Sequence, residues 1–391
     1  MTETNEPIRI LAPEDAVDRI SRRMFMAGAA GAAAAGSTLL SACGADESAD
    51  TSAAPAGEVE SELNMFTWGD YNAPEVIKEF EKKNSLDFKL DSYNSNEQLI
   101  AKLTAASGTS GYDIIVPTGP FIPALAENEL VQELDLSRIT NFGNLEPQYI
   151  DQPWDPGNKY SICKDWGTTG YAYDTTLIDV EMSTWQDFID VAKDQASGNM
   201  SVLDSPDNAV GFWLWANDIN WMTTDTEELN QCEDFLLNEM APHVKAFVSY
   251  PGGGDMQNGN FALVHAWNGD ARQGIIQSED KERWKWVFPG PRTEIWMDTY
   301  AIPVGAPHPN AAYEWINYLL IPEVSLKELE YIGYNTGVKD IEPMAKKAGV
   351  ERLDIVFFTP DQVATMESGE LNDAQERRVE IYNKFKSAAG G

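Results

Sequence analysis

The chain has few of the residues on which catalytic and metal sites usually depend. Its 391 residues include only three cysteines and three histidines. His243, His265 and His308 are scattered without the spacing of metal ligands, so we predict no metal site. We find no nucleophile elbow, zinc-protease helix or phosphate-binding glycine loop. These gaps predict a protein that is not an enzyme and that carries no cofactor.

Basic residues are also scarce. Lys and Arg number 28 against 63 Asp and Glu, which gives a formal net charge of −35. Such a surface repels nucleic acid and anionic lipid headgroups and attracts cations, so we predict no nucleic-acid partner. Solubility or adaptation to salt is the favoured explanation of the total charge, and the charge alone locates no site.

Long apolar runs are absent except at residues 24–40, where most positions are Ala or Gly. A membrane-spanning helix needs about 20 strongly apolar residues, so a transmembrane anchor is the less favoured interpretation. Twin arginines precede the run, and Leu-Ser-Ala-Cys ends it at Cys43, as in twin-arginine export signals and lipoprotein cleavage sites. We predict that residues 1–42 are removed and that a lipid on Cys43 anchors the exported protein to the outer face of the cytoplasmic membrane.

Besides Cys43, only Cys163 and Cys232 remain. An exported protein meets oxidising conditions, which permit one disulfide between them. Cys232 falls in a predicted helix at residues 226–239, and nothing in the sequence brings it near Cys163. We therefore favour two buried free thiols.

The rest of the chain alternates strands and helices. Residues 43–60 are small and polar, and predict a flexible tether. Helices begin at Pro74 and at a cap formed by Ser95 or Asn96. This order predicts an α/β fold with right-handed crossovers. Strands are predicted at residues 63–68, 88–93, 112–117, 261–267, 284–288 and 297–304, with a polar loop between 267 and 284, and later helices at 309–320, 323–332 and 372–388.

Aromatic and acidic side chains recur where the predicted strands end. In open α/β sheets, ligands bind at the carboxyl ends of strands. Aromatic faces and partly dry carboxylates together suit an organic cation. A Trp at a strand end is often only a core residue, and Asp70 alone could be a helix cap, so the inference depends on all the clusters together. These clusters are residues 68–71, 118–120, 267–270 and 296–298, none of which contains a basic residue.

Five segments in order resemble the bacterial spermidine/putrescine-binding proteins of ABC importers, and the resemblance covers nearly all of the chain from residue 63. They are residues 66–71 (Phe-Thr-Trp-Gly-Asp-Tyr), 112–118 (Tyr-Asp-Ile-Ile-Val-Pro-Thr), 267–269 (Trp-Asn-Gly), 296–303 (Trp-Met-Asp-Thr-Tyr-Ala-Ile-Pro) and 332–334 (Ile-Gly-Tyr). The resemblance implies a two-lobed type II periplasmic-binding fold with hinge-crossing segments. Lobe 1 would comprise residues 61–167 and 298–345, and lobe 2 residues 168–297 and 346–391.

The resemblance also implies a set of ligand-binding residues. Ser205 and Asn208 stand where spermidine binders have two acids, although a shift of one residue would place Asp204 and Asp207 there instead. Asp270 has no counterpart in the family and would compensate. Fewer acids imply a diamine or a monocation in preference to a triamine. The implied ligand-binding set is Trp68, Asp70, Tyr71, Thr118, Phe121 (beside Pro120, where an aromatic is usual), Ser205, Asn208, Trp267, Asp270, Trp296, Asp298, Tyr334 and Asn372.

The resemblance implies a monomeric substrate-binding lipoprotein that captures a polyamine and delivers it to membrane permease subunits. The alternatives from the residues themselves are a binding protein for another organic cation, such as a quaternary amine or a cationic amino-acid derivative, and a receptor that signals through a membrane partner. An exported enzyme is the least favoured.

Overall fold

The structure is a computed structural model that describes residues 50–106 and 109–390. The predicted signal at residues 1–42 and the predicted lipidation site Cys43 lie outside the described residues. Within the described residues, no helix is both long enough and apolar enough to cross a membrane. Cys163 and Cys232 are buried and unbonded, which confirms the prediction of two free thiols.

The described chain alternates strands and helices, as predicted. The strands are β1 (Glu62–Trp68), β2 (Asp87–Tyr93), β3 (Ile114–Ile115), β4 (Ser161–Asp174), β5 (Met200–Leu203), β6 (Val244–Val248), β7 (Leu263–Trp267), β8 (Trp284–Val287), β9 (Thr293–Ala301) and β10 (Met366–Ser368). The α-helices are α1 (Pro74–Asn84), α2 (Asn96–Ala105), α3 (Ile122–Glu127), α4 (Trp185–Lys193), α5 (Pro206–Ala216), α6 (Thr226–Phe235), α7 (Asn268–Gln277), α8 (Pro309–Leu319), α9 (Pro322–Ile332), α10 (Ile341–Ala348), α11 (Pro360–Val363) and α12 (Gln375–Ala388).

The strands pair in the order β2-β1-β3-β9-β4-β7-β5-β6, with β8 added on β4 and β10 on β9. β1 is parallel to both β2 and β3, whereas β9 is antiparallel to β3 and β4. β4 pairs with β9 through residues 161–168 and then with β7 and β8 through residues 169–174. The long strand β4 therefore joins two groups of strands, and the α/β prediction is confirmed.

Local sequence explains where the helices around the site begin. Pro74 occupies the first turn of α1, where its missing N–H costs nothing, and Val76 and Phe80 form the buried face. At α2, the Ser95 hydroxyl accepts the N–H of Gln98 at 3.2 Å, which settles the predicted choice of cap. These helices fix the loops that leave the ends of β1 and β2.

Two large hydrophobic cores contact opposite ends of the long strand β4. One packs β1, α1 and β2 against α8 and includes Phe80 and Trp315. The other packs α4, α5 and α12 against β5 and β7 and includes Trp185 and Trp215. The boundaries of the predicted lobes remain a prediction.

Three predicted elements differ from the structure. The segment between β7 and β8 is not only a polar loop, because it contains helix α7. Two glycines lower its intrinsic helix propensity, and buried Ala271 and Ile275 stabilise it through packing. β3 pairs over two residues only, and β9 begins at Thr293, four residues before the predicted start.

The predicted flexible tether at residues 43–60 needs correction for residues 50–60, which lie bound to the surface of the domain. Thr51 accepts the N–H of Glu133 at 2.7 Å, and the N–H of Ala54 donates to the side chain of Gln132 at 2.8 Å. The Glu60 carboxylate accepts the N–H of Ala311 at 2.7 Å in the first turn of α8. Small polar residues lack apolar anchors, but their backbone groups can still pair with a neighbouring surface.

A candidate ligand-binding cavity

A cavity of about 320 Å³ opens between the two cores. One side is formed by the loops after β1 and β3 together with β9, and the other by the start of α5, the start of α7 and the chain after β6. The predicted residues that line it are Trp68, Asp70, Tyr71, Thr118, Phe121, Ser205, Asn208, Trp267, Asp270, Trp296, Asp298 and Tyr334. Their role as ligand contacts remains a prediction.

Asn372 is the predicted site residue that does not line the cavity. Its amide donates to the Met222 carbonyl at 2.7 Å and to Glu370 at 2.9 Å, so it ties down the loop before α12. Gln375, at the start of α12, lies on the cavity wall instead. The prediction began this helix at Asn372, three residues early.

Aromatic rings form a continuous part of the wall. The Tyr334 ring packs edge-on against Trp296, with centroids 4.8 Å apart, and against Tyr71 at 6.0 Å. Trp68 packs against Tyr93 at 4.7 Å, and its indole N–H donates to the Val116 carbonyl at 3.0 Å. These contacts fix the ring planes before any ligand arrives, and their faces can attract a cation.

Asp298 lies in a buried polar corner. The Tyr71 hydroxyl sits between two carboxylates: it donates to Asp165 and lies 3.0 Å from Oδ2 of Asp298. Behind it, Lys164 pairs with Asp165 and lies 3.6 Å from the centre of the Tyr71 ring. Burial, and then the neighbouring Asp165 carboxylate, raise the pKa of Asp298. Lys164 pairs with Asp165, and Asp298 forms no ion pair among the described residues, so this corner retains a preference for a further cation.

Asp270 forms a second acidic corner, in the first turn of α7. Its Oδ2 accepts the Tyr334 hydroxyl at 3.5 Å. Burial raises the pKa of Asp270 to about 7, and the Asp70 carboxylate acts in the same direction. Asp70 has φ of 53° and accepts the Tyr331 hydroxyl at 2.6 Å, whereas α1 has no side-chain cap. The interpretation of Asp70 as a helix cap is therefore wrong.

Asp204, in the loop before α5, and Asp207, in the first turn of α5, are both paired with bases. Asp204 accepts Lys386 Nζ at 2.6 Å, and Asp207 accepts Nε of Arg378 at 3.0 Å. These carboxylates line the cavity, yet their charges are already balanced by α12.

Sequence reasoning missed Glu294, which lines the cavity on β9. Its Oε2 accepts the Thr169 hydroxyl at 2.6 Å and the Asn208 side-chain amide. Burial raises the pKa of Glu294 to about 7. The signal was available, because Glu294, Trp296 and Asp298 follow the two-residue period of one strand face. The predicted strand began at Met297 and therefore excluded it.

Two tyrosines at the mouth of the cavity were also missed. Tyr250 follows β6 and Tyr331 ends α9, and both line the opening. Tyr250 reaches the loop after β1, since a Cβ on Gly69 would lie 2.8 Å from its hydroxyl oxygen. Glycine at this position allows the two sides of the cavity to approach closely.

Comparisons with known proteins agree with this architecture. Residues 75–359 match the family model described as bacterial extracellular solute-binding protein. The putrescine/agmatine-binding protein of Pseudomonas aeruginosa PAO1 is 28% identical over 357 residues, covering 87% of this chain and 95% of that protein. The spermidine/putrescine-binding periplasmic protein of Salmonella typhimurium LT2 is 29% identical over 329 residues, covering 83% and 91%.

A solved structure supports the same conclusion about the fold. The spermidine/putrescine ABC transporter substrate-binding protein of Streptococcus pneumoniae superposes with a TM-score of 0.70 at 26% identity, over 84% of this chain and 100% of that one. Together with the sheet described above, this likeness confirms the predicted two-lobed type II periplasmic-binding fold.

Proposed function

Because the chain belongs to the bacterial extracellular solute-binding proteins, we propose that it captures a linear polyamine of the putrescine and spermidine class in its cavity and delivers it to the permease of an ABC importer. The protein would act without chemistry on its ligand and so would not be an enzyme. The names of its relatives, which are putrescine- and spermidine-binding proteins, support this ligand class.

One observation carries the proposal: the cavity combines aromatic faces with carboxylates that have no basic partner of their own in the part of the chain that the structure describes. Trp296 and Tyr334 form an apolar wall for methylene groups, and Asp270 and Asp298 lie beside it. An aliphatic amine needs both features, because its methylene groups pack against aromatic rings and its ammonium groups bind carboxylates.

Capture is proposed to close the two lobes, residues 61–167 with 298–345 and residues 168–297 with 346–391. The chain would cross between them at Gly167, Met297 and Ala345. Glycine is required at the first of these positions, because a Cβ on Gly167 would collide with the side chains of Asn268 and Trp296. Ligand contacts from both lobes would favour the closed form, which the permease would recognise.

We also propose the location and assembly of the protein. Residues 1–42 would direct twin-arginine export, and a lipid on Cys43 would hold the mature chain at the outer face of the cytoplasmic membrane. A monomer suffices for a hinged trap. The anchor would keep the protein near its permease and raise its effective concentration there.

The second candidate ligand is another organic cation, such as a quaternary amine. It is favoured by Ser205 and Asn208, which line the cavity and carry no charge at positions where the resemblance implies two acids. A quaternary ammonium group binds aromatic faces without needing carboxylate hydrogen bonds.

Calorimetric titration of the chain without its first 43 residues tests the proposal. We expect tight 1:1 binding of putrescine or spermidine and much weaker binding of choline. Tight binding of choline with no binding of any polyamine would favour the second candidate. Absence of binding to all these amines would overturn the proposed ligand class while leaving the fold unaffected.

A further inference from the structure

Glu294 shares one face of β9 with two residues of the proposed site. Alternate residues of a strand point to the same side, so Glu294, Trp296 and Asp298 face the cavity together. At about 3.3 Å per residue, the Cα atoms of Glu294 and Asp298 are about 13 Å apart. Trp296 stands between the two acids along the strand.

The partners of Glu294 are all neutral. Both of its hydrogen bonds, from Thr169 and Asn208, reach Oε2. Oε1 accepts no hydrogen bond within residues 50–106 and 109–390, and no Lys, Arg or His of that part of the chain forms an ion pair with Glu294. Arg378, whose partner Asp207 lines the same cavity, pairs with Asp207 at 3.0 Å and not with Glu294. One carboxylate oxygen is therefore held in place while the other is available to a ligand.

The surroundings of Glu294 distinguish it from a structural acid. Asp207 balances a buried arginine and Glu60 accepts backbone N–H groups at the start of α8, whereas Glu294 fulfils neither role. An ionised carboxylate facing a confined cavity with only neutral donors is costly unless a cation joins it. Burial accordingly raises the pKa of Glu294 to about 7.

We propose that Glu294 is a second ammonium anchor and that the cavity selects a linear α,ω-diamine. The diamine lies along β9 across Trp296, with one ammonium group at Asp298 and the other at Glu294. This inference rests on the proposed function and adds the ligand's charge pattern and length. It also places a carboxylate beside Asn208, where the resemblance implies an acid and the sequence has an amide.

The test compares diamines with a monoamine in the wild type and in E294Q. Calorimetry with 1,3-diaminopropane, putrescine, cadaverine and butylamine gives the affinities. In E294Q we expect the best diamine to bind about 10- to 100-fold more weakly, because a charge-assisted hydrogen bond is lost. We expect butylamine to change by less than about threefold, because one ammonium group needs one anchor. The exposed Glu282→Gln variant controls for the loss of one charge.

A shorter acid at the same position sharpens the test. Glu294→Asp keeps the charge and withdraws the carboxylate by one methylene group. If Glu294 binds the second ammonium group, the preferred diamine becomes longer by about one methylene group. This variant also guards against a folding defect in E294Q, since a misfolded protein would lose all amines without shifting the preference.

Specific results would overturn the inference. Equal weakening of diamine and butylamine in E294Q would mean that Glu294 acts only through the general field of the cavity. An unchanged affinity for the diamine would mean that there is no contact. If the wild type bound no amine at all, the proposed function itself would fail, and that outcome is visible before any variant is made.

Discussion

Two acidic walls of the cavity differ in how their charges are balanced. Around the start of α5, Asp204 pairs with Lys386 and Asp207 with Arg378. On β9, Glu294 has only neutral partners, and Asp298 forms no ion pair within residues 50–106 and 109–390. The comparison teaches that the number of acids around a cavity does not give the charge of its ligand. The charge of the ligand depends on which of the acids have no basic side chain as a partner.

The same contrast appears in the protonation of the two walls. Burial raises the pKa of Glu294 to about 7, whereas the hydrogen bond from Lys386 helps to lower the pKa of Asp204 despite its burial. Glu294 is thus partly protonated near neutral pH until a cation replaces the proton, while Asp204 stays ionised. A cationic ligand should therefore gain most of its binding free energy at the unbalanced wall.

The Asp298→Asn substitution is the strongest test of this difference between the two walls. It removes a carboxylate of the cavity wall that is more deeply buried than Glu294 or Asp270, so we expect the preferred amine to bind at least about 100-fold more weakly. Calorimetry of the folded variant checks this, with the exposed Asp361→Asn as the matched control. Wild-type affinity in Asp298→Asn would contradict the assignment of the cavity.

Acidification should weaken binding through the buried carboxylates of both β9 and α7. Burial raises the pKa of Asp270 and of Glu294 to about 7, so at pH 6 both are largely protonated and an arriving cation must displace the protons. We expect affinity to fall from pH 8 to pH 6 by about tenfold for each carboxyl that contacts the ligand. Titration near pH 7 in two buffers of different ionisation enthalpy should detect the released protons. A flat profile would mean that these groups do not contact the ligand.

The balanced wall should give the smallest effect on affinity. Asp207→Asn leaves the neutral amide contacts of Arg378 in place and removes a charge that no ligand needs, so we expect less than a threefold change in amine affinity. Stability should fall, by about 1–3 kcal/mol, because the buried Arg378 guanidinium loses its counterion. Calorimetry and urea unfolding measure the two effects separately. A large loss of affinity at unchanged stability would place Asp207 in the binding site.

Much of the fold was predictable from local patterns. Alternation and capping residues placed β1, β2, α1 and α2 within a residue or two. The missed parts depend on tertiary contacts: α7 is stabilised by packing, and the pairing of Lys386 with Asp204 joins residues 182 positions apart. Lys164 escaped notice because it lies in no predicted cluster, yet it packs on Tyr71.

Small errors in element boundaries had large consequences for the site. The predicted β9 began four residues late, at Met297, and Glu294 was missed; Asn372 was implied by the resemblance and lies three residues before Gln375, which lines the cavity. The start of β9 is set by its pairing with β4, and this pairing cannot be seen in the local sequence of either strand. Boundaries are therefore the part of a sequence prediction on which site assignments depend most.

The β4–β9 ladder is both the proposed crossing between lobes and the strand pair that carries Glu294 and Asp298. In a protein built this way, a substitution on β9 that changes ligand specificity would also change the free energy of closing the two lobes. Specificity for new solutes should therefore evolve through substitutions at the starts of α5 and α7. Residues there line the cavity but lie outside the ladder, so the energy of closure is preserved. The design of a sensor for another amine should begin with substitutions at the same two helix starts.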